Sequence, residues 1–187
     1  MRKILLIVVL IIIIGVAYVL LGDFFTGNFE QLYSKLQSIE AKYGVNEVQL
    51  TPGTEAELDE FENELKQFEN SLGENRDEKA IKLLIASRLD LIAMERNFLL
   101  AKDKIDAVDP LHPDCSLRGN ITQAKEFFDE VIERGRVALE KRKILLNNYP
   151  VQAQKAGITS NEGLEYAING LADSVEFTKE TLGSYCP

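Results

Sequence analysis

Residues Ile4 to Leu21 form 18 consecutive positions without a charge or a strongly polar side chain. No other feature of the chain restricts its architecture as much. As a helix rising 1.5 Å per residue, the run spans about 27 Å, close to the roughly 30 Å hydrocarbon core of a bilayer. Arg2 and Lys3 precede it, and Asp23 and Glu30 follow it. A positive flank stays in the cytoplasm, so the remainder is expected outside it. The reading is therefore a single-pass cell-membrane protein with its N-terminus in the cytoplasm. Residues 1–3 are a cytoplasmic stub, 4–22 a transmembrane signal anchor, 23–27 a short linker, and 28–187 an exported helical-bundle domain. The rival is a cleavable signal peptide, with Gly15-Val16-Ala17 as the cleavage site. Val19, Leu20 and Leu21 carry the apolar run past that site and favour a retained anchor.

Charge narrows the partners. The chain carries 21 Lys and Arg against 30 Asp and Glu, a formal net charge of -9. Nucleic-acid binding rests on neutralising phosphates, so so acidic a chain is not expected to bind it. With one His and two Cys, the material for metal or acid/base chemistry is sparse. No Gly-x-Ser-x-Gly, phosphate-cradling glycine loop or EF-hand pattern occurs. No catalytic residue, cofactor or metal site is assigned, and an enzyme is not expected.

Beyond the anchor, apolar residues recur at helical spacing almost throughout. Phe29, Leu32, Tyr33, Leu36 and Ile39 mark a first helix over Asn28–Tyr43, stopped by Gly44. Thr54 and Glu57 form a capping box for a second helix. Its Leu58, Phe61, Leu65, Phe68 and Leu72 make a heptad seam, with Gly73 as the stop. A third helix, Asp77–Val108, carries two apolar faces. One holds Leu84, Leu91, Met94, Phe98 and Ala101; the other holds Ile81, Ile85, Ile92 and Leu99. A helix apolar on two sides is covered on two sides, which makes this one the central element. A fourth helix is expected from a cap at Asn120 to a stop at Tyr149-Pro150, and a fifth from Thr159 or Ser160 to Leu182. The fold class is all-α: an N-terminal transmembrane helix followed by an antiparallel bundle of about five helices.

If successive helices alternate in direction, the loop holding Cys115 and the end of the fifth helix holding Cys186 meet at one end of the bundle. An exported domain tolerates disulfides. The pair is expected to bond, stapling the C-terminal tail to the loop. His112-Pro113-Asp114-Cys115 contains metal-binding residue types, but a zinc site needs about four ligands and only one His exists.

The remaining candidates each have a plain structural reading. Lys141, Arg142 and Lys143 could meet lipid headgroups, or could simply favour the C-terminal end of their helix. Arg88 lies among apolar neighbours and should form a structural ion pair or snorkel to solvent, the rival being recognition of an anionic ligand. Asn120-Ile121-Thr122 is a glycosylation sequon, although Asn120 also suits a helix cap. Gly135 and Gly170 lie inside helices at a cost of about 1 kcal/mol each relative to Ala, which close helix contact would justify. The leading expectation is a membrane-anchored interaction or structural module with an unidentified protein partner. The alternative is an extracytoplasmic small-ligand or sensory domain with a pocket between helices near Arg88.

Overall fold

The computed structural model describes residues 28–45, 54–106 and 118–185. The expected anchor over 4–22, the linker, the His112–Cys115 segment and Cys186 lie outside those residues. Among the described residues every regular element is helical, and no helix is long and apolar enough to cross a membrane. Six helices are present: α1 Phe29–Lys42, α2 Glu55–Asn70, α3 Arg76–Asp106, α4 Arg118–Asn148, α5 Pro150–Lys155 and α6 Glu162–Tyr185.

Local chemistry sets several of these boundaries. Gly44 and Gly157 adopt φ of +70° and +73°, which a side chain resists, and they end α1 and α5. Thr54 Oγ1 accepts the backbone N–H of Glu57 at 3.3 Å, as the capping box requires. Three sequence expectations need correction. Pro150 does not only stop a helix; it opens the short α5, because a first-turn residue has no need of its N–H. Among the described residues there are therefore six helices rather than about five. Asn120 sits inside the first turn of α4, which already runs from Arg118, and so does not cap it. The second helix ends at Asn70, ahead of Gly73, where the Ser71 hydroxyl takes over the Phe68 carbonyl at 2.7 Å.

Side-chain pairs fix the directions. Along α3 the partner falls steadily on α4: Arg76 reaches the carbonyl of Asn148, Ser87 that of Ala138, and Phe98 packs on the Phe128 ring. These two long helices are antiparallel. On α1, Asn28 and Phe29 meet Asp77 and Glu40 meets Arg88, so α1 runs parallel to α3. Lys35 over Phe68 and Tyr43 against Phe61 make α2 antiparallel to α1. Asp129 pairs with Lys179, and Gly135 faces Ile168, so α6 is antiparallel to α4.

The two apolar faces of α3 separate the core as their spacing implies. Ile81, Ile85 and Ile92 join Phe29, Leu36 and the α2 seam Leu58, Phe61, Leu65 and Phe68, all buried. Leu91 packs with Ala138, Leu139, Leu164 and Ile168. Further along, Ala101 meets Ile121, Ala124, Phe128 and Val175. The α3–α4 pair is thus the spine. The α1–α2 hairpin covers one end of it, and α6 covers the middle and the other end.

Asp77 adds a cross-link at the first of these ends. Its Oδ2 accepts the N–H groups of Asn28 and Phe29 at 3.2 and 3.1 Å, and its Oδ1 accepts from Gln152 at 2.8 Å. One carboxylate from α3 therefore satisfies orphan donors at the start of α1 and also holds α5.

Candidate functional site

Two features stand out on this framework: a cationic cleft between α1, α3 and α4, and the outer face of α6. The cleft follows from register. Arg88 on α3 and Lys141 on α4 both line the space between these helices, together with the partly buried Leu84 and the buried Leu145. Arg88 Nε donates to Glu40 Oε1 at 2.5 Å, with the two side chains 23% and 12% exposed. The two form a part-buried ion pair between α1 and α3. Lys141 reaches Asp90, which is only 6% exposed, and donates to the Ala86 carbonyl at 3.3 Å. Arg134 approaches the other Asp90 oxygen at 3.8 Å. Two cations thus compensate a buried carboxylate that would otherwise be costly.

Arg88, Glu40 and Lys141 line a cavity of about 60 Å³ whose other polar residues are Tyr33, Ser87 and Arg142 and whose remaining wall is apolar. The Tyr33 hydroxyl donates to the Ala156 carbonyl at 3.0 Å, tying α1 to the turn after α5. Burial pushes the Tyr33 phenol above its ordinary pKa, and the Glu40 charge adds to this; Arg88 and Arg142 pull the other way. Of the proposed headgroup-contacting residues, Lys141 and Arg142 line this cleft, and Lys143 is half-buried beside them.

The second feature was missed in part. Leu164, Ile168 and Val175 form the buried face of α6. On the opposite side, Tyr166 and Phe177 are 84% and 72% exposed, the most exposed large apolar side chains among the described residues. Eleven residues make three turns plus about 20°, so both project from one side, roughly 16 Å apart. Gly170 and Asp173 lie between them and are exposed, with the exposed Ala167 and Ser174 about a quarter turn to one side.

The two helix-interior glycines have different surroundings. A Cβ at Gly135 would stand 3.3 Å from Met94 Sδ and 3.4 Å from Ile168, so close packing explains that glycine. A Cβ at Gly170 would meet nothing within 4 Å. The expectation of internal helix contact at Gly170 is thus corrected: the residue lies on the face turned away from α4. The signal available in the sequence was the Tyr166/Phe177 spacing, which the buried stripe of the same helix overshadowed.

Asn120 is half-buried in the first turn of α4, and the Thr122 hydroxyl of its sequon donates to the Arg118 carbonyl at 3.1 Å. Cys115 and Cys186 lie outside the described residues. Their described neighbours Arg118 and Tyr185 begin α4 and end α6, which are antiparallel, so both neighbours belong to the same end of the bundle. Comparison with protein-family models, curated proteins and solved structures finds no match.

Proposed function

We propose that the chain is a single-pass, membrane-anchored helical domain held outside the cytoplasm, and that it works by presenting the outer face of α6 to a helix of a partner protein. The observation that carries this reading is Gly170. A glycine inside a helix costs about 1 kcal/mol relative to Ala. Here a side chain would touch none of the described residues, and the glycine sits between two exposed aromatic rings. Small residues flanked by large apolar ones allow a second helix to approach closely and then be gripped at both ends. Aromatic anchors are also the side chains that carry most binding energy at protein interfaces. Glu162, Asp173, Glu176 and Glu180 are exposed along one edge of this face and favour a partner with basic flanks.

The membrane placement rests on the uncharged run Ile4–Leu21 and its basic leading flank. The geometry favours protein contact over a sizeable ligand, because drug-sized ligands occupy pockets of roughly 300–1,000 Å³. The cleft near Arg88 offers about 60 Å³.

Photo-crosslinking in intact membranes tests the reading. A photoreactive residue at position 166 or 177 should give a discrete adduct with one protein, and the same residue at Glu60 on α2 should not. A Gly170→Leu change should abolish the adduct. Equal labelling from all three positions, or none from α6, refutes the proposal.

A further inference from the structure

The outer face of α6 is chemically two-sided. At about 100° per residue, Glu162, Glu165 and Glu180 fall on one side of the Tyr166–Phe177 ridge, and Ala167 and Ser174 fall on the other. Asp173 stands between the rings. These four carboxylates are exposed, and none of them forms an ion pair among the described residues.

Several acidic groups elsewhere on the bundle are matched from within it. On α2, Asp59 and Glu62 meet Arg96, and Glu64 meets Lys42. On α4, Asp129 meets Lys179, which also reaches Glu176 at the margin of the α6 face. The rest of the chain has no cation to bring to Glu162, Glu165, Asp173 or Glu180. Segments 46–53, 107–117 and 182–187 contain no Lys or Arg. In 1–27 the only basic residues are Arg2 and Lys3, ahead of the apolar run read as the anchor. Glu162 and Glu165 gain from the positive end of their own helix, but Asp173 and Glu180 lie beyond its first turn and draw nothing from it.

We propose, on the reading that α6 is the docking face, that its occupant is a basic helix of another protein, with Lys or Arg along one flank only. The small side chains of Ala167, Gly170 and Ser174 let that helix lean to their side of the ridge. Its long cationic side chains then reach across to the acidic side, where Glu162 and Glu180 lie about five turns, or roughly 27 Å, apart. The aromatic rings supply the grip, and the charges select the partner and steer its approach. A second copy of this chain does not fit the face. It would set four unmatched carboxylates against four more, on chains of formal charge -9 each. In an antiparallel two-fold pair the acidic side of each α6 would also face that of the other.

The test uses the full-length chain in intact membranes, with a photoreactive residue at position 166, and sequences the attached peptide by mass spectrometry. The attached segment should carry Lys or Arg at helical spacing on one flank. Glu165→Lys with Glu180→Lys turns attraction into repulsion and should cut the adduct yield about tenfold or more, with Glu165→Gln and Glu180→Gln falling between. Glu126→Lys with Glu133→Lys, an equal change of charge on the exposed side of α4, should leave the yield unchanged. Raising the salt from about 0.1 M to about 1 M shortens the screening length from about 10 to about 3 Å and should lower the wild-type yield several-fold. Circular dichroism of the purified variants in zwitterionic detergent micelles should return the wild-type unfolding midpoint, which separates a lost contact from a lost fold. An adduct with a second copy of this chain, an attached segment without Lys or Arg, or a yield that the α6 reversals leave intact overturns the basic occupant while the docking face stands. No protein adduct from position 166 or 177 removes both.

Discussion

Replacing each of the two helix-interior glycines by alanine separates an internal contact from an external one. At Gly170 the new methyl meets open space. The change should therefore stabilise α6 by the full difference in helix propensity, about 0.8–1.0 kcal/mol. For a domain of this size that is a rise in midpoint of about 2–4 °C. At Gly135 the same gain is opposed. The methyl would lie 3.3 Å from Met94 Sδ and 3.4 Å from Ile168, inside the normal contact range. Overpacking of this kind costs about 1–3 kcal/mol, so the net effect should run from neutral to a loss of about 2 kcal/mol. Thermal unfolding of the two variants, followed by circular dichroism in the same micelles, gives the comparison directly. Gly170→Ala should be the more stable variant by about 1–3 kcal/mol. If Gly135→Ala is equally stable or more so, the close approach of α4 to α6 is wrong. If Gly170→Ala lowers stability, the outer face of α6 is already occupied within the domain, and its availability to a partner fails with it.

Three further outcomes follow from the geometry. Removing Arg88 strands the Glu40 carboxylate in a mostly buried position, so Arg88→Ala should cost about 1–3 kcal/mol, and a double-mutant cycle with Glu40→Gln should return a favourable coupling; additive effects would contradict the pair. Burial raises the Glu62 pKa, but hydrogen bonds from Lys66 and Arg96 outweigh it and the net shift is downward. The ionised group thus stabilises the fold above the ordinary carboxylate range and loses that contribution as pH falls through its lowered pKa. The stability gap between wild type and Glu62→Gln should then shrink in acid, and a gap that widens would reverse the assignment. Non-reducing peptide mapping of the mature protein should recover a Cys115–Cys186 cross-linked peptide, whose loss by reduction should cost about 4 kcal/mol; two reduced thiols would count against the exported placement.

Much of the fold was legible because it depends on periodicity. The α2 seam from Leu58 to Phe68 is a run of residues at spacings of three and four, and all four are buried. The double face of α3 was readable for the same reason, since a helix must cover every apolar stripe it carries. What escaped was governed by ambiguous local signals. A proline ends one helix and opens another with equal ease, so α5 was hidden behind Pro150. Asn120 had the chemistry of a cap, but the backbone begins its helix two residues earlier. The candidate sites were legible only as residues. Arg88 was singled out by its apolar neighbours, yet Glu40 lies 48 positions away and nothing in the sequence pairs them.

The sequence by itself determined that the chain is helical, where most helices run, which faces are buried, and that an uncharged run long enough for a bilayer precedes them. Those properties are local, set by side-chain spacing and by caps within a few residues. Only the tertiary structure decided that α1 runs parallel to α3, that Lys141 turns inward to Asp90, and that Gly135 is enclosed while Gly170 is open. Two glycines in helices read alike along the chain. Their difference is the presence or absence of a neighbouring helix, and that neighbour is supplied by packing between segments far apart in sequence.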